Sequence, residues 1–403
     1  MTPNEIAANM MGLLTETDGR LTAVLPSPAV QNHAAFVARW PDGALVCAWF
    51  GGSLEGMSDI SIYASVLPEG EVQWSSPSKL TDLTDRSEQN SVLFASPEGE
   101  VFLFNTAQPA GNQDESRVYM RVLQREGGRI LSGQARDIGL PPGTFVRAPL
   151  SVRDDGAWML PLFRCNPRPG VRWTGAHDTA ALATSLDRGA TWSLTYVPDS
   201  LGSVHMTPVA IGEGRMAAFY RRRPADWVHR SQSNDGGRSW SAPLPTDVPN
   251  NNSSIGVVRL DDDVLAMVCN PVSAAQSASR RASLYDELGE DDDRPDAADG
   301  CYPIWGVERA PLALCLSVDG GKSFPARHII DDSPGTCLSN DSLDGHNKEL
   351  SYPMLLPRAD GGLDIAYTFF RRAIRHVRLS AAEVDAMRRD IARQNTKPEG
   401  SKA

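Results

Sequence analysis

Residues that can transfer protons or act as nucleophiles recur at intervals along the 403-residue chain. His33 is the strongest single candidate for an acid or base, because imidazole titrates near neutral pH. His205 and His346 occupy comparable places in later segments and compete with it for that role. Glu349 and Tyr352 are candidates for a carboxylate and a phenol that act as a nucleophilic pair. Residues three apart on a regular strand face opposite sides, so these two would meet only across a β-bulge.

Arginine and amide side chains recur at the same positions and indicate an anionic ligand. Arg147, Arg221 and Arg372 come from different segments and are the favoured carboxylate contacts, because a planar guanidinium binds a carboxylate through two parallel hydrogen bonds. Such a positive cluster is informative in a chain whose net charge is −11. The remaining predicted substrate-binding residues are Asn32, Arg86, Gln89, Asn90, Gln113, Asp114, Arg164, Asp226, Asn252 and His346. The alternative for each is a solvated position or a tie that satisfies loop amides.

These residues stand at the starts and ends of a repeated hairpin pattern. An apolar strand, a short turn and a second apolar strand recur six times, from AAFVARW-PDG-ALVCAWF to LSYPMLLP-RADGG-LDIAYTF. The interval is 57 residues from His33 to Asn90, 57 from Asn90 to Arg147 and 58 from Arg147 to His205. A third β-rich run follows each hairpin. The pattern predicts an all-β fold, a six-bladed β-propeller with four-stranded blades.

A motif of the form S-x-D-x-G-x-[ST]-[WF] occurs three times, at residues 185–192, 233–240 and 317–324. Its Asp is suited to accept hydrogen bonds from neighbouring backbone amides, its Gly to adopt a positive φ, and its aromatic ring to pack between adjacent sheets. The motif therefore predicts a tight turn that joins the third strand of a blade to the fourth.

The predicted domain organisation is an N-terminal extension over residues 1–19, the propeller over 20–379, and a C-terminal helix and tail over 380–403. The last unit has no turn motif, so RLTAVLPS near residue 20 is expected to supply its fourth strand and close the ring. Residues 273–300 are polar and acidic and predict one insertion loop within a single repeat. The helix begins with Ser380 as its cap.

Propeller topology predicts where the chemically capable residues meet. Every inner strand crosses the ring in the same direction, so residues that enter the inner strands and residues that leave the second strands lie at one face, near the axis. The hairpin turns and the three turn motifs belong to the opposite face. His33, Arg147, His205 and Arg372 are therefore expected to surround a common mouth.

Composition excludes several other classes of protein. A chain with 41% hydrophobic and 22% charged residues is neither largely disordered nor a coiled coil. The net charge of −11 disfavours nucleic acid as a partner. The sequence has no 18-residue apolar run and no basic start followed by an apolar stretch, so we expect a cytoplasmic protein with no membrane association. Six scattered cysteines without a CxxC pair, and the lack of phosphate or dinucleotide motifs, predict reduced thiols, no metal and no cofactor.

The turn motifs and the strings QNHAAFVARWPDGALVCAWFGGSLEGMSDISIY, RSEQNSVLF and ELSYPMLL resemble the sialidase (neuraminidase) superfamily of Asp-box, or BNR-repeat, propellers over residues 20–378. True sialidases bring three arginines to the substrate carboxylate, with a Tyr/Glu nucleophilic pair and an Asp acid. Here Gln31-Asn32-His33 replaces the Arg-Ile-Pro string of that group. The resemblance therefore implies the branch related to rhamnosyl-glucuronate glycosidases and lyases, which rely on a rim histidine, and His33 stands where that residue would be needed.

The leading hypothesis is a carbohydrate-active enzyme that cleaves a glycosidic bond at a carboxylated sugar, with an anionic saccharide or sugar acid as its partner. In hydrolysis, His33 or an Asp would protonate the leaving oxygen; in elimination, His33 or Tyr352 would remove the proton next to the carboxylate. One alternative is a cytosolic isomerase or dehydratase of a small sugar acid or lactone. Another is a non-catalytic propeller that binds sugar acids. The oligomeric state, a homo-oligomer included, stays open.

Overall fold

The computed structural model describes residues 2–260, 263–289, 293–296 and 298–395. Within these ranges the chain forms two α-helices and 27 strands, and the strands are arranged in six antiparallel sheets. The architecture is the all-β, six-bladed propeller with a short C-terminal helix that the repeats predict. Neither described helix is long and apolar enough to cross a bilayer.

The strands follow the chain from the axis outward in each blade. Two strands precede the first blade, β1 (Thr15–Thr17) and β2 (Arg20–Val24). The first three blades contain β3 (Gln31–Arg39), β4 (Leu45–Gly52), β5 (Ser61–Leu67) and β6 (Ser78–Lys79); β7 (Ser87–Ala95), β8 (Val101–Gln108), β9 (Arg117–Glu126), β10 (Arg129–Ser132) and β11 (Arg136–Asp137); and β12 (Thr144–Val146), β13 (Ser151–Val152), β14 (Trp158–Arg164), β15 (Thr179–Ser185) and β16 (Ser193–Tyr196). The last three contain β17 (Ser203–Gly212), β18 (Arg215–Arg222), β19 (Trp227–Ser233) and β20 (Leu244–Pro249); β21 (Gly256–Arg259), β22 (Leu265–Cys269), β23 (Leu312–Ser317) and β24 (Ala326–Asp331); and β25 (Leu350–Pro357), β26 (Leu363–Phe369) and β27 (Ala373–Leu379).

The N-terminal strands close the ring. β2 pairs with β27 in the sixth blade, with Leu21 opposite Arg378 and Val24 opposite Arg375, and β1 adds a fifth strand outside it. The prediction that the segment near residue 20 supplies the fourth strand is confirmed. Because the two ends of the propeller share one sheet, all blades hold fixed positions around the axis.

Both helices pack on the propeller near this closure. α1 (Pro3–Asn9) starts with a capping box between Thr2 and Glu5 and buries Ile6; the sequence analysis did not predict it. α2 (Ala381–Asn395) begins after Ser380, whose hydroxyl accepts the N–H of Glu383 at 3.2 Å, as predicted. Its apolar side chains pack against the fifth and sixth blades. The predicted tail over residues 396–403 lies outside the described residues.

Each S-x-D-x-G-x-[ST]-[WF] motif forms the turn between the third and fourth strands of its blade. In the first copy, Asp187 accepts hydrogen bonds from the N–H of Thr191 at 2.8 Å and from its hydroxyl at 2.6 Å. Gly189 has a φ of +84°. The Trp192 ring packs edge-to-face on Phe104 of the neighbouring blade, with centroids 5.9 Å apart. The same Asp contacts recur in the other two copies, so the motif fixes the turn and joins adjacent sheets.

The inner strands share a β-bulge close to their first residues. In four blades, three steps along the inner strand match two steps along its partner. Each bulge contains a non-glycine residue with a left-handed φ, and a fifth such residue precedes β21; these are Ala34, Asn90, His205, Asn252 and Tyr352. An extra residue reverses the face to which the neighbouring side chains point. The bulge therefore decides which side chains reach the mouth of the ring.

Candidate active site

Side chains from five of the six blades meet at one end of the propeller axis. This central cluster consists of His33, Glu55, Arg147, His205, Arg221, Asn252, Arg309, Glu349, Tyr352 and Arg371. None of these residues exceeds 8% exposure. They lie at the starts of inner strands, at the ends of second strands, or in the connections that follow second strands, as the predicted topology requires.

The ring of Tyr352 lies at the centre of the cluster. Its centroid is 4.2 Å from that of His33 and 5.7 Å from that of His205. The guanidinium carbons of Arg147, Arg221 and Arg309 each lie 5.6 Å from the same centroid. Three cations around one aromatic ring make this region strongly positive, since the electron-rich faces of the ring attract them.

His33 is fully buried, and both of its ring nitrogens have partners. Nε2 faces the guanidinium of Arg371 at 3.3 Å, and because a guanidinium can only donate, Nε2 is the acceptor. Nδ1 therefore carries the proton and faces Thr368 Oγ1 at 2.8 Å and Glu349 Oε1 at 3.7 Å. Burial lowers the pKa of His33 well below its usual range, and the positive charge of Arg371 lowers it further. The imidazole is neutral at pH 7.

Glu349 forms ion pairs with two arginines of the cluster, Arg309 and Arg371. Its Oε1 accepts hydrogen bonds from Arg309 at 2.7 Å and from the Ser351 hydroxyl at 2.6 Å, and its Oε2 accepts one from Arg371 Nε at 2.8 Å. Burial alone would raise the pKa of Glu349, but Arg309 and Arg371 outweigh it and hold that pKa well below its usual range. Arg371 also donates to Glu55, which further fixes its position.

The bulge in β25 brings Glu349 and Tyr352 to the same side of the strand. Tyr352 has a φ of +49° and lies where the register with β26 shifts. Arg309 contacts both residues, through a hydrogen bond to Glu349 and through the ring of Tyr352. The sequence analysis expected Glu349 and Tyr352 to meet only across a β-bulge, and β25 contains that bulge. The Tyr352 hydroxyl accepts a hydrogen bond from Arg221.

Arg147 and Arg221 differ from the other cluster arginines because they form no ion pair with a carboxylate in the described part of the chain. Arg147 Nη2 donates to the carbonyl oxygens of Ala35 at 2.9 Å and Tyr352 at 3.0 Å, while its Nε and Nη1 are buried without a partner. Arg221 Nε donates to Asn252 Oδ1 at 2.7 Å. Burial lowers the pKa of each guanidinium to about 10, so both remain protonated at neutral pH.

One ring nitrogen of His205 has no hydrogen-bond partner among the described residues. Its Nδ1 is buried without a hydrogen-bond partner, and its ring packs against Phe163 and Tyr352. Burial lowers the pKa of His205 well below its usual range, and the nearby arginines, Arg221 first, lower it further. His205 is therefore a neutral imidazole beside the Tyr352 ring with capacity for one more hydrogen bond.

Arg372, expected at the mouth, is replaced there by its neighbour Arg371. The Arg372 side chain is half-buried, and its carbonyl oxygen accepts a hydrogen bond from Asn32 Nδ2 at 2.8 Å. Asn32 also accepts from Trp49 Nε1 at 2.9 Å, so it ties the first blade to the sixth. Left-handed backbone at both Phe370 and Arg371 breaks strand alternation here, which is why sequence reasoning did not identify Arg371.

Three other predicted binding residues point to different partners. Arg164 donates to the Pro141 carbonyl at 2.6 Å in a loop of the third blade. Asp226 pairs with Arg222 at 3.3 Å. His346 is exposed.

The second blade contributes no member to the central cluster. Gln89 donates to Ser87 Oγ at 2.9 Å, Asn90 is the buried bulge residue of β7, and Arg86 is half-buried with its Nε 4.0 Å from Asp85.

Gln113 and Asp114 instead contact the long connection between β22 and β23. Gln113 Nε2 donates to the Tyr285 hydroxyl at 2.8 Å, and Asp114 accepts from Arg294 at 3.5 Å. These two residues lie beside the mouth and bind the insertion.

Sequence reasoning missed Glu55, Arg309 and Arg371. Glu55 follows β4 in a glycine-rich loop, and Arg309 stands near the end of the connection between β22 and β23, where no strand pattern marks it. The parallel bridge between Arg309 and Glu349 depends on the fold. The one available signal was the adjacency of Arg371 to Arg372.

A groove elsewhere on the propeller is separate from the central cluster. A groove of about 840 Å³ lies between β6 and β10, and none of its lining residues belongs to the cluster. Within the described ranges, no three His, Cys, Asp or Glu side chains are arranged to hold a metal ion.

Comparison with known proteins identifies the family. The family model described as a BNR repeat-like domain matches residues 43–365. The chain belongs to the BNR repeat-like family. Comparison with curated proteins gave no match.

Several solved structures share the fold of this chain. The "Hadza microbial sialidase Hz136" aligns with a TM-score of 0.66 at 11% identity, over 88% of this chain and 66% of that one. A protein of unknown function from Dyadobacter fermentans aligns with a TM-score of 0.63 at 13% identity, over 89% and 97%. Trypanosoma rangeli sialidase with 2,3-difluorosialic acid aligns with a TM-score of 0.62 at 11% identity, over 95% and 58%. This BNR repeat-like chain thus has a sialidase-like propeller and spans two thirds or less of the length of these two sialidase chains.

Proposed function

We propose that this BNR repeat-like protein is an enzyme that cleaves a glycosidic bond at a carboxylated sugar, with the carboxylate bound by Arg147 and Arg221. The observation that carries the proposal is the pair of buried guanidiniums without an acidic partner. Burying an unpaired charge costs several kcal/mol, so a chain that keeps two such charges around one tyrosine ring is suited to receive an anion. Because the whole chain carries a net charge of −11, this local excess of positive charge does not follow from the overall composition.

The charges of the cluster set the number of negative charges that a bound ligand can bring. Arg309 and Arg371 share the carboxylates of Glu349 and Glu55, which neutralise them. Arg147 and Arg221 then remain as two uncompensated positive charges. A single sugar carboxylate would accept hydrogen bonds from both and leave a net positive charge that stabilises a second, developing negative charge. That arrangement fits a transition state in which charge accumulates next to the carboxylate.

Tyr352 and His205 are the residues proposed to transfer protons. The Tyr352 hydroxyl accepts from Arg221 and keeps its own proton for donation, and the neutral His205 has an unpaired ring nitrogen. This pair suits β-elimination: a base removes the proton α to the carboxylate, the arginines stabilise the resulting enolate, and an acid protonates the leaving oxygen. His33, with both nitrogens engaged by protein groups, is assigned a positioning role against the Tyr352 ring.

Hydrolysis is the second candidate, supported by the convergence of Glu349 and Tyr352 and by the similarity to sialidase structures. Both oxygens of Glu349 already accept hydrogen bonds from arginines, and its pKa is held well below the usual range. Glu349 is therefore poorly suited to take the proton of Tyr352 and activate it as a nucleophile. This favours elimination over hydrolysis through a Tyr/Glu pair.

The test is incubation of the purified protein with uronate-containing oligosaccharides and with sialosides. We expect an ultraviolet-absorbing unsaturated uronate from the former, while saturated reducing sugars alone would support hydrolysis instead. Tyr352→Phe should lower turnover by about 100-fold or more, because it removes the transferable proton together with the oxygen that accepts from Arg221. Tyr302→Phe, at a side chain that is 81% exposed, is the matched control. Binding of these sugars without any product would identify a non-catalytic binder and refute the proposal.

A further inference from the structure

The Arg147 side chain crosses the axis of the propeller. Arg147 follows β12 in the third blade, and its Nη2 donates to the carbonyl oxygens of Ala35 in the first blade at 2.9 Å and of Tyr352 in the sixth at 3.0 Å. The six blades follow one another around the ring, so the third and the sixth lie opposite each other. A side chain that joins opposite blades must pass close to the axis.

Two of the three guanidinium nitrogens of Arg147 lack a hydrogen-bond partner. Nε and Nη1 are buried, and no described residue accepts a hydrogen bond from either of them. The residue as a whole is 3% exposed. Buried polar groups in proteins are nearly always hydrogen-bonded. Nε carries one hydrogen and Nη1 carries two, so the guanidinium can still donate to an acceptor that is not part of the chain.

The charge of Arg147 also has no counter-ion among the described residues. The four guanidiniums of the central cluster face only two carboxylates, and both carboxylates pair with Arg309 or Arg371. Burial lowers the pKa of Arg147 only to about 10, so the side chain is a cation at neutral pH. Arg221 lies at the same tyrosine ring and is likewise without a carboxylate. The cluster therefore carries two positive charges in excess.

A water molecule would satisfy the free N–H groups of Arg147 but would not balance its charge. A monovalent anion does both, because it accepts charge-assisted hydrogen bonds and offsets the cost of burying the cation. An ion of one or a few atoms is the smallest ligand that meets both requirements. The burial of the whole cluster favours such an ion over a larger one.

Two hydroxyl groups supply further donors at the same height along the axis. Arg147 reaches the carbonyl of Ala35, which directly follows the left-handed residue Ala34 in the first blade. Ser91 and Ser253 directly follow the corresponding left-handed residues of the second and fifth blades. Both serine hydroxyls are buried and have no hydrogen-bond partner among the described residues. A serine hydroxyl can donate to an anion, as a guanidinium does.

We propose that Arg147 binds a monovalent anion of the size of chloride on the propeller axis, and that a sugar carboxylate displaces this anion when it binds. The first part depends only on the position, burial and charge of Arg147. The second part rests on the proposed function, in which the same guanidinium contacts the sugar carboxylate. Chloride therefore stabilises the folded protein and competes with sugar acids.

The first experiment is urea unfolding of the full chain in mixtures of sodium chloride and sodium methanesulfonate at constant ionic strength. Urea is uncharged and adds no anion of its own. We expect the unfolding equilibrium constant to fall by about 10-fold as chloride rises from about 1 mM to about 200 mM, because an ion that binds only the folded state stabilises it by mass action. A wild-type stability that does not depend on chloride would overturn the anion site.

Variants assign the chloride effect to one residue. Arg147→Met should abolish the dependence on chloride, whereas Arg129→Met, the same change at an exposed arginine, should retain it. The dependence is compared and not the absolute midpoint, since an apolar side chain in place of a buried ion pair is often neutral for stability. A chloride dependence that persists in Arg147→Met would contradict the proposal.

Bromide soaking of wild-type crystals needs no variant that folds. Anomalous scattering should place a bromide ion within hydrogen-bond distance of Nε or Nη1 of Arg147. Density there without an anomalous signal would indicate water and would overturn the anion site. Bromide found only at exposed side chains would show an adventitious ion only and would overturn it as well.

Calorimetric titration with glucuronate separates the anion site from the proposed function. The apparent dissociation constant of glucuronate should rise by about 10-fold over the same range of chloride concentration, because the two ligands share Arg147. An affinity that does not change with chloride would overturn the competition. If glucuronate and other sugar acids bind at no chloride concentration, the proposed function and the competition both fail. The unfolding and bromide measurements then still decide whether the anion site exists.

Discussion

Glu349→Gln tests whether one buried carboxylate stabilises the cluster. Glu349 accepts three hydrogen bonds of 2.6–2.8 Å, two of them from guanidiniums, and has no exposed area. The amide keeps the shape but loses the charge and turns N–H groups toward Arg309 or Arg371. Removing one partner of a buried ion pair costs about 3–5 kcal/mol. Against a total stability of about 5–15 kcal/mol for a typical domain, this loss is large.

The effect should depend on pH in a defined direction. The folded-state pKa of Glu349 lies well below the ordinary value of about 4.3, so the unfolded chain takes up a proton first as the pH falls. The stabilisation is therefore complete above the unfolded pKa and is lost as pH falls through the folded pKa. The difference between wild type and Glu349→Gln should be constant from pH 8 to about 5.5 and should shrink at lower pH.

The assay is guanidinium chloride unfolding monitored by tryptophan fluorescence at several pH values. Asp360→Asn is the matched control, because it removes the carboxylate of an exposed pair with Arg358 and should change stability little. Glu349→Asp, which keeps the charge, should recover part of the loss. A Glu349→Gln loss below about 1 kcal/mol at pH 7, or one independent of pH down to pH 3, would refute the view that this anion compensates two buried cations.

Three further outcomes distinguish the remaining residues. Arg147→Met should weaken sugar-acid binding by about 10-fold or more without lowering the denaturation midpoint, because the cation it removes has two unpaired N–H groups; a clear loss of stability would contradict this. If His205 acts as a neutral base, kcat/KM should not fall near pH 6.5, since burial holds its pKa well below that value; an apparent pKa near 6.5 would count against it. Arg371→Ala should impair stability and binding, whereas Arg372→Ala should do neither.

The parts of the fold that the sequence predicted correctly depend on local chemistry. Alternating apolar strands and short turns give the number of blades, because period-2 patterning and turn residues act within a few positions. Ser380 predicts the start of α2 for the same reason. The segment at residue 20 was identified as the closing strand because the sixth repeat lacked a partner, and β2 does pair with β27.

The candidate site was predictable in its location but not in its membership. Arg147, His205, Arg221 and Tyr352 stand at repeat starts or strand ends, and the structure brings them together. Arg371 in place of Arg372 shows the limit, since a one-residue change in backbone conformation exchanges the side chain that faces the axis. Neither Glu55 nor Arg309 belongs to a periodic segment, so no pattern identified them.

The sequence by itself determined the blade count, the closure of the ring and the end of the propeller at which polar residues gather, because these follow from short-range periodicity and from one topological rule. Only the tertiary structure decided which side chains point inward, and that Glu349 and Glu55 neutralise Arg309 and Arg371 while Arg147 and Arg221 have no carboxylate partner in the described part of the chain. The physical reason is that these features depend on bulges that shift strand register by one residue and on contacts between segments more than 100 residues apart, such as that from Arg147 to Tyr352.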